Sequence, residues 1–353
     1  MHFLWNEETR VVRGESSVFA GKEVAQLLFP AEKILKAENK VTGEIFLEGR
    51  DFSHEKNSSL IKRLPGSSMR FLPEEELYPA PEKAILHPDP HANAIAGGEG
   101  GKYLLFNNCD FWAKQQFEVD YIAAVKPVLP FPLYKEDKRL PRFRAKLSAK
   151  EVVKVTLMGD SISEGLNASG YHNFPPYQGA YFTLFARELA KFNRRSQFCN
   201  ASVGGYGITH AVREEKAWRR EDTDLFILAF GMNNFKNLTP EAFLEETRKV
   251  ISLMRETSPG CEYILTASMP GNPQWLNTPF PVAKAYCEAF WKFREEAGED
   301  LEIVDIFTPW DYIMAEKGYY SMTGNGVNHP NDYGYRLYAS MFRGLFEDEF
   351  ETL

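Results

Sequence analysis

The chain has 353 residues, enough for two domains of ordinary size. With 44% hydrophobic and 25% charged residues it is a globular composition rather than a disordered one. Lys plus Arg number 41 against 49 Asp plus Glu, a formal net charge of −8, so a basic nucleic-acid or anionic-membrane surface is not expected. No apolar run approaches the roughly 20 residues of a membrane helix. The N-terminus has no basic stretch followed by an apolar one, so a cytoplasmic location is expected. Cys109, Cys199, Cys261 and Cys287 are scattered without a CxxC pair, which reads as reduced core residues.

In chain order, the first 145 residues read as short strands separated by turns. Val41–Leu47, Ser59–Lys62, Lys102–Phe106 and Phe117–Ala123 are strand candidates, and Glu23–Phe29 is a short helical candidate. This part is expected to be a mostly-β, jelly-roll-like sandwich domain covering 1–145. The Pro- and charge-rich stretch Lys126–Lys150 reads as a linker or crossing. His87-Pro88-Asp89-Pro90-His91 invites a metal reading, but its prolines favour a rigid extended turn, and no metal is expected there.

From Val152 the pattern alternates strand and helix, giving a second domain over 146–353. Strands are expected at Val152–Met158, Gln197–Ala201, Leu225–Phe230, Glu262–Ala267 and Leu301–Ile306. Helices are expected around Gly179–Phe192, after the Thr239-Pro240-Glu241 start signal, over Val282–Glu296 and from about Tyr333. Alternation of this kind makes right-handed crossovers and an α/β, flavodoxin-like parallel five-stranded sheet with flanking helices. Ligands in such sheets sit at the carboxyl ends of the strands.

The loops at those ends carry chemistry. Gly159-Asp160-Ser161 follows the first strand, and Asn200 through Gly204-Gly205 follows the second. Gly231-Met232-Asn233-Asn234 follows the third, and Asn328-His329-Pro330 precedes the last helix. Each alone is ordinary turn or capping chemistry. Together they supply a hydroxyl, a glycine turn, an amide and an imidazole at one sheet edge, the set that acyl transfer needs.

These four blocks resemble those of the SGNH, or GDSL-motif, hydrolase superfamily. The resemblance implies that Ser161 is the nucleophile and His329 the general base. The oxyanion hole would be the backbone N–H groups of Ser161 and Gly205 with the side chain of Asn233. Two departures stand out. Asn234 replaces the usual acid after Asn233, and Gly326 stands three residues before His329 where the family usually carries Asp. Asn325 and Asn328 are its polar neighbours, and neither amide carries charge. A Ser–His dyad with a backbone carbonyl orienting His329 is therefore the first expectation, and a carboxylate from Asp305 or Asp332 the second. Asp332 also reads as the N-cap of the last helix.

The layout is similar to two-domain bacterial carbohydrate esterases. It implies a serine esterase, without cofactor, that removes a short acyl group, acetyl above all, from a carbohydrate or small-molecule ester. Lipase-like or aryl esterases of the same superfamily and a non-catalytic carbohydrate-binding protein are the alternatives. A nucleotide-binding reading is disfavoured because no Gly-x-Gly-x-x-Gly or P-loop follows the first strand. His172 lies in a Tyr- and Pro-rich insertion, Leu166–Gln178, that could wall the cleft; neither it nor His210 occupies a motif block. Trp275, Trp310, Tyr319 and Tyr320 are candidates either for stacking on sugar rings or for the core. The oligomeric state is open.

Overall fold

The computed structural model describes all 353 residues. In the second half, five strands form one parallel sheet. They are Lys154–Gly159, Gln197–Asn200, Leu225–Ala229, Glu262–Ala267 and Leu301–Asp305. Their spatial order is second, first, third, fourth, fifth, the flavodoxin-like order. The third strand, Leu225-Phe226-Ile227-Leu228-Ala229, is buried at every position, as a parallel strand covered on both faces should be. Helices Tyr181–Leu189, Pro240–Thr257, Phe280–Glu296 and Asp332–Gly344 fall where the apolar periodicity places them. Thr239 caps the second of these, its Oγ1 accepting from the Ala242 N–H at 3.3 Å. The helix Asp332–Gly344 buries Leu337, Tyr338, Met341 and Phe342, with Phe342 5.2 Å from Tyr181 and 5.4 Å from Phe185 between ring centroids, and a short helix, Glu347–Glu351, follows it. Truncating a buried aromatic of this kind to alanine costs about 3–5 kcal/mol.

The first half is mostly β. Its main sheet has six antiparallel strands, with the long strand Val24–Glu38 pairing Phe117–Ala123 on one side and Ser58–Arg63 on the other. Two two-stranded ribbons accompany it. The helix expected over Glu23–Phe29 is instead part of that long strand. The tertiary ladder overrides a short apolar cluster that is too brief to nucleate a helix by itself. The Pro-rich stretch also differs from a plain linker. Pro141 starts a helix, Pro141–Ser148, that buries Phe143 and Leu147. The Glu262 carboxylate accepts from the Arg142 and Phe143 N–H groups at 3.1 and 2.7 Å, satisfying the open first turn of that helix. A further helix, Phe307–Lys317, follows the fifth strand and packs its side chains toward the long strand of the first half.

A single cluster of 78 buried apolar residues runs from Leu4 to Phe350, so the two halves share one core. A small ribbon, Ala94–Ile95 with Leu104–Leu105, brings the first half up to the strand-end face of the parallel sheet. There Gly98 bridges Trp275, Leu276 N–H donates to the Gly97 carbonyl at 2.9 Å, and Asn107 N–H donates to the Asn325 carbonyl at 3.2 Å. No helix is long and apolar enough to cross a membrane.

Candidate active site

Ser161 opens a one-turn helix, Ser161–Glu164, at the end of the first parallel strand. Asp160 is its N-cap, with Oδ1 accepting from the Ile162 N–H at 3.0 Å, and Gly165 at φ +109° ends it. As the first residue of a helix, Ser161 has an N–H with no intrahelical acceptor. Its side chain is buried, and its Oγ lies 2.8 Å from His329 Nε2.

His329 is buried on the loop before the helix Asp332–Gly344. Asn325, fully buried, builds this loop. Its Oδ1 accepts from the N–H groups of Val327, Asn328 and His329 at 3.0, 3.0 and 3.1 Å, and its Nδ2 donates to Asn328 Oδ1 at 2.9 Å. The two neighbouring amides therefore shape the backbone that carries the imidazole and do not touch its ring.

The ring's second nitrogen has a partner that the sequence did not reveal. His329 Nδ1 lies 2.6 Å from Oδ1 of Asn167, six residues after the nucleophile. The Asn167 Nδ2 donates to the Asn108 carbonyl at 2.9 Å and to the Gly324 carbonyl at 3.0 Å. Two carbonyl oxygens can be served only by the NH₂ end, so the amide oxygen must face His329. An amide oxygen can only accept, which places the proton on Nδ1. Nε2 is left as the acceptor for the Ser161 hydroxyl. The hydrogen-bond network alone thus selects the tautomer a general base requires.

This differs from both expectations for the orienting group. The Asp305 carboxylate accepts from Thr308 N–H, Thr308 Oγ1 and Trp291 Nε1 at 2.9, 2.7 and 3.0 Å, capping the helix that follows its strand. Asp332 Oδ1 accepts from the Ser169 N–H at 2.9 Å. The N-cap of the helix Asp332–Gly344 is Asn331, whose Oδ1 accepts from the Gly334 N–H at 3.0 Å, and not Asp332. The reason for glycine at 326 is also visible. Its φ is +93°, and a Cβ there would stand 2.2 Å from the Leu105 carbonyl oxygen and 2.9 Å from the Trp112 ring. The first half of the chain occupies the space that an acid three residues before His329 would need.

The second loop reaches the nucleophile directly. A Cβ on Gly204 would lie 3.7 Å from Ser161 Cβ. Asn200 Nδ2 donates to the Ser163 carbonyl at 2.8 Å, and Val203 N–H to the Gly159 carbonyl at 3.1 Å, so the loop is tied to the nucleophile turn. Gly205 adopts φ +79°, the region that favours glycine, and its N–H has no acceptor within the chain. Asn233, on the third loop, donates from Nδ2 to the Tyr206 carbonyl at 2.9 Å, leaving its second amide hydrogen unengaged. Asn234, in place of the usual acid, accepts at Oδ1 from the Ile208 N–H at 3.1 Å and fixes the start of the helix Ile208–Arg213.

Burial sets the charge state of the site. His329 is pushed down to about 3, first by desolvation and then by the nearby His172. Asp160 is pushed up to about 7 by desolvation, against the backbone N–H groups of Ile162, Ser163 and its own residue, which favour the carboxylate. The two act on stability with opposite sign. An unfolded His329 takes up a proton near 6.5 that the folded one refuses, so its contribution is lost as pH falls from about 6.5 toward 3. Asp160 holds a proton in the folded state that the unfolded chain releases near 3.8, so its contribution is lost as pH rises from about 4 to 7. In ¹⁵N-histidine-labelled protein the His329 ring is expected to give the neutral Nδ1–H pattern at pH 5. Titration of that ring between pH 6 and 7 would contradict this.

The other candidates fall outside this constellation. Trp310 and Tyr319 are core residues, and Tyr320 stacks on Trp112 at 5.2 Å. Trp275 is partly exposed, with its Nε1 donating to the Ala96 carbonyl at 3.0 Å. His210 lies flat against Tyr206, 4.5 Å between ring centroids. In the His87–His91 turn, Asp89 Oδ1 accepts from the His91 N–H at 2.8 Å, and the His87 ring meets the edge of Phe106.

The GDSL-like Lipase/Acylhydrolase family matches residues 157–337, which contain all four motif loops. No curated protein matches the chain. Among solved structures, a two-domain esterase (CEX) active on acetylated mannans is similar at 17% identity and a TM-score of 0.46. That match covers 60% of this chain and 53% of the other. A carbohydrate esterase family 3 protein from Talaromyces cellulolyticus is similar at 15% identity and a TM-score of 0.44, covering 57% and 100%. A member of the lipolytic G-D-S-L family from Veillonella parvula is similar at 16% identity and a TM-score of 0.43, covering 56% and 99%. With the family match spanning half of the chain and the strand-end loops in place, this protein belongs to the GDSL-like lipase/acylhydrolase family and is a hydrolase of ester bonds.

Proposed function

We propose that the chain is a serine esterase in which Ser161, His329 and Asn167 act as a unit on a short-chain acyl ester, an O-acetylated carbohydrate being the favoured substrate. The observation that carries the reading is the contact of Ser161 Oγ with His329 Nε2 at 2.8 Å, with the other ring nitrogen held by Asn167. Ser161 Oγ attacks the ester carbonyl as its proton passes to His329 Nε2. The oxyanion is received by the N–H groups of Ser161 and Gly205 and the free amide hydrogen of Asn233. His329 then gives its proton to the leaving alcohol, and a water activated by the same nitrogen releases the acid from Ser161. Asn167 Oδ1 accepts from Nδ1 throughout and stabilises the transient imidazolium by its dipole rather than by charge.

Support for a sugar alcohol comes from the surroundings, where residues near the nucleophile present aromatic faces. Tyr171, on the insertion after the nucleophile, is half exposed and donates to Glu164 at 3.0 Å, and Tyr206 stands next to Gly205. Such faces suit the C–H surfaces of sugar rings, with hydroxyls left at their edges.

Acetylated mono- and oligosaccharides, nitrophenyl acetate and nitrophenyl octanoate, compared by kcat/KM, test the substrate. Preference for the acetyl esters is expected, and preference for the octanoate would overturn the assignment. Asn233→Ala is expected to lower kcat by about 10²–10³, the usual loss for one oxyanion donor, with KM little changed. A variant with wild-type kcat and a raised KM would remove Asn233 from the oxyanion hole.

A further inference from the structure

Glu164 ends the nucleophile turn, three residues after Ser161, and the reaction as described gives it no task. Its carboxylate is nonetheless spent on the site. Oε2 accepts from the Gly204 N–H at 2.6 Å, and Oε1 accepts from the Tyr171 hydroxyl at 3.0 Å. A Cβ on Gly204 would lie 3.1 Å from Oε2, so the glycine lets the backbone come this close.

The consequence follows from the Gly204-Gly205 pair. Two successive glycines have the widest backbone freedom of any dipeptide, and no side chain of theirs can hold their dihedral angles. The direction of the Gly205 N–H depends on those angles. On one side the loop is pinned where Asn233 donates to the Tyr206 carbonyl at 2.9 Å. On the other side it is pinned where Gly204 donates to Glu164. Gly205 is the residue between the two pins.

We infer that Glu164 is a positioning residue that presets the oxyanion loop, with Tyr171 bracing its carboxylate from the insertion loop. The inference rests on the reading of Gly205 as an oxyanion donor. It also contains a tension that makes it testable. A carboxylate close to a developing oxyanion opposes the charge that the loop is meant to stabilise. What the loop needs from position 164 is the acceptor oxygen, not the negative charge. Gln keeps that oxygen and can still meet the Tyr171 hydroxyl, whereas Ala removes both contacts.

The experiment compares Glu164→Ala, Glu164→Gln and Tyr171→Phe with wild type. It reads kcat and KM on an acetyl ester, and inhibition by a small alkylboronic acid, which forms a tetrahedral anion on the nucleophile. Glu164→Ala is expected to lose about 10–100-fold in kcat, as a displaced donor does, with KM within about twofold. Boronate affinity should weaken by the same factor. Glu164→Gln should restore kcat to within about threefold of wild type, and Tyr171→Phe should fall between the two. Wild-type kcat and boronate affinity in Glu164→Ala would overturn the inference, as would equal losses in the alanine and glutamine variants. A raised KM at unchanged kcat would place Glu164 on the substrate instead, and also overturns it. Labelling of wild type by a fluorophosphonate separates the two levels. If Ser161 is not labelled, the esterase reading itself fails; if it is labelled and Glu164→Ala behaves as wild type, only the role of Glu164 fails.

Discussion

Asn167→Ala is expected to lower kcat by about 10³ and to leave KM within about threefold, with the fold intact. The size follows from what the amide does. It fixes the proton on Nδ1 of His329, so that Nε2 is free to take the Ser161 proton. In a serine hydrolase, loss of the group that sets this tautomer costs about 10⁴ when the wrong tautomer results. Alanine leaves the tautomer unselected rather than reversed, so a somewhat smaller loss is expected. Asn167→Asp is not a simple gain of a charged triad. The carboxylate would raise the affinity of His329 for its proton, but it would also face the Asn108 and Gly324 carbonyls that now receive the NH₂ group. Three acceptors without a donor between them cost stability or turn the side chain away. The aspartate variant is therefore expected below wild type in kcat, with the acid limb of its pH profile moved upward. Steady-state kinetics across pH on both variants check this. Wild-type kcat in Asn167→Ala would remove Asn167 from the mechanism.

The second large effect concerns the joint between the halves. Lys317, at the end of the helix Phe307–Lys317, is fully buried and paired with the equally buried Glu15 of the first half. Its Nζ also reaches Ser17 Oγ and the Gln26 carbonyl, each at 3.3 Å. Glu15 in turn accepts from the Leu28 N–H and the Tyr121 hydroxyl, both at 2.7 Å. Burial lowers the Lys317 pKa, and the Glu15 charge opposes that shift. Lys317→Ala leaves a buried carboxylate with neutral donors alone, and breaking such a pair costs about 3–5 kcal/mol. Lys317→Met with Glu15→Gln removes both charges together and is expected to lose less. Urea unfolding followed by tryptophan fluorescence measures both. A single variant no less stable than the double one would contradict this account.

Much of the second half was legible because its rules are local. All five parallel strands lie where the apolar runs place them, and Thr239-Pro240 starts its helix through a short-range cap. Ser161, Gly205, Asn233 and His329 were singled out because strand-end loops collect chemistry in this topology and because those four loops resemble the motif blocks of the SGNH superfamily. Asn167 could not be found that way. It lies in the insertion Leu166–Gln178, at φ +69°, and its contacts are to Asn108, Gly324 and His329, all remote in sequence. One signal bore on it: Gly326 stands where an acid is usual, so some other group, side chain or backbone, had to meet the imidazole. The first half was harder because its order is non-local. The stretch from Val24 to Phe29 becomes strand only when Ser58–Arg63 pairs beside it, Val24–Gln26 against Leu60–Lys62, while Phe117–Ala123 pairs farther along the same strand, over Ala31–Glu38. The contribution of Leu105 and Trp112 to the site, filling the space beside Gly326, exists only once the halves meet.

The most direct test of the account is mass spectrometry of the protein after reaction with a fluorophosphonate, with the rate of inactivation followed alongside. One adduct per chain is expected, on Ser161. Labelling should be absent in Ser161→Ala and His329→Ala, and slowed by about 10²–10³ in Asn167→Ala. An adduct on another residue, or labelling of Asn167→Ala at the wild-type rate, would contradict it.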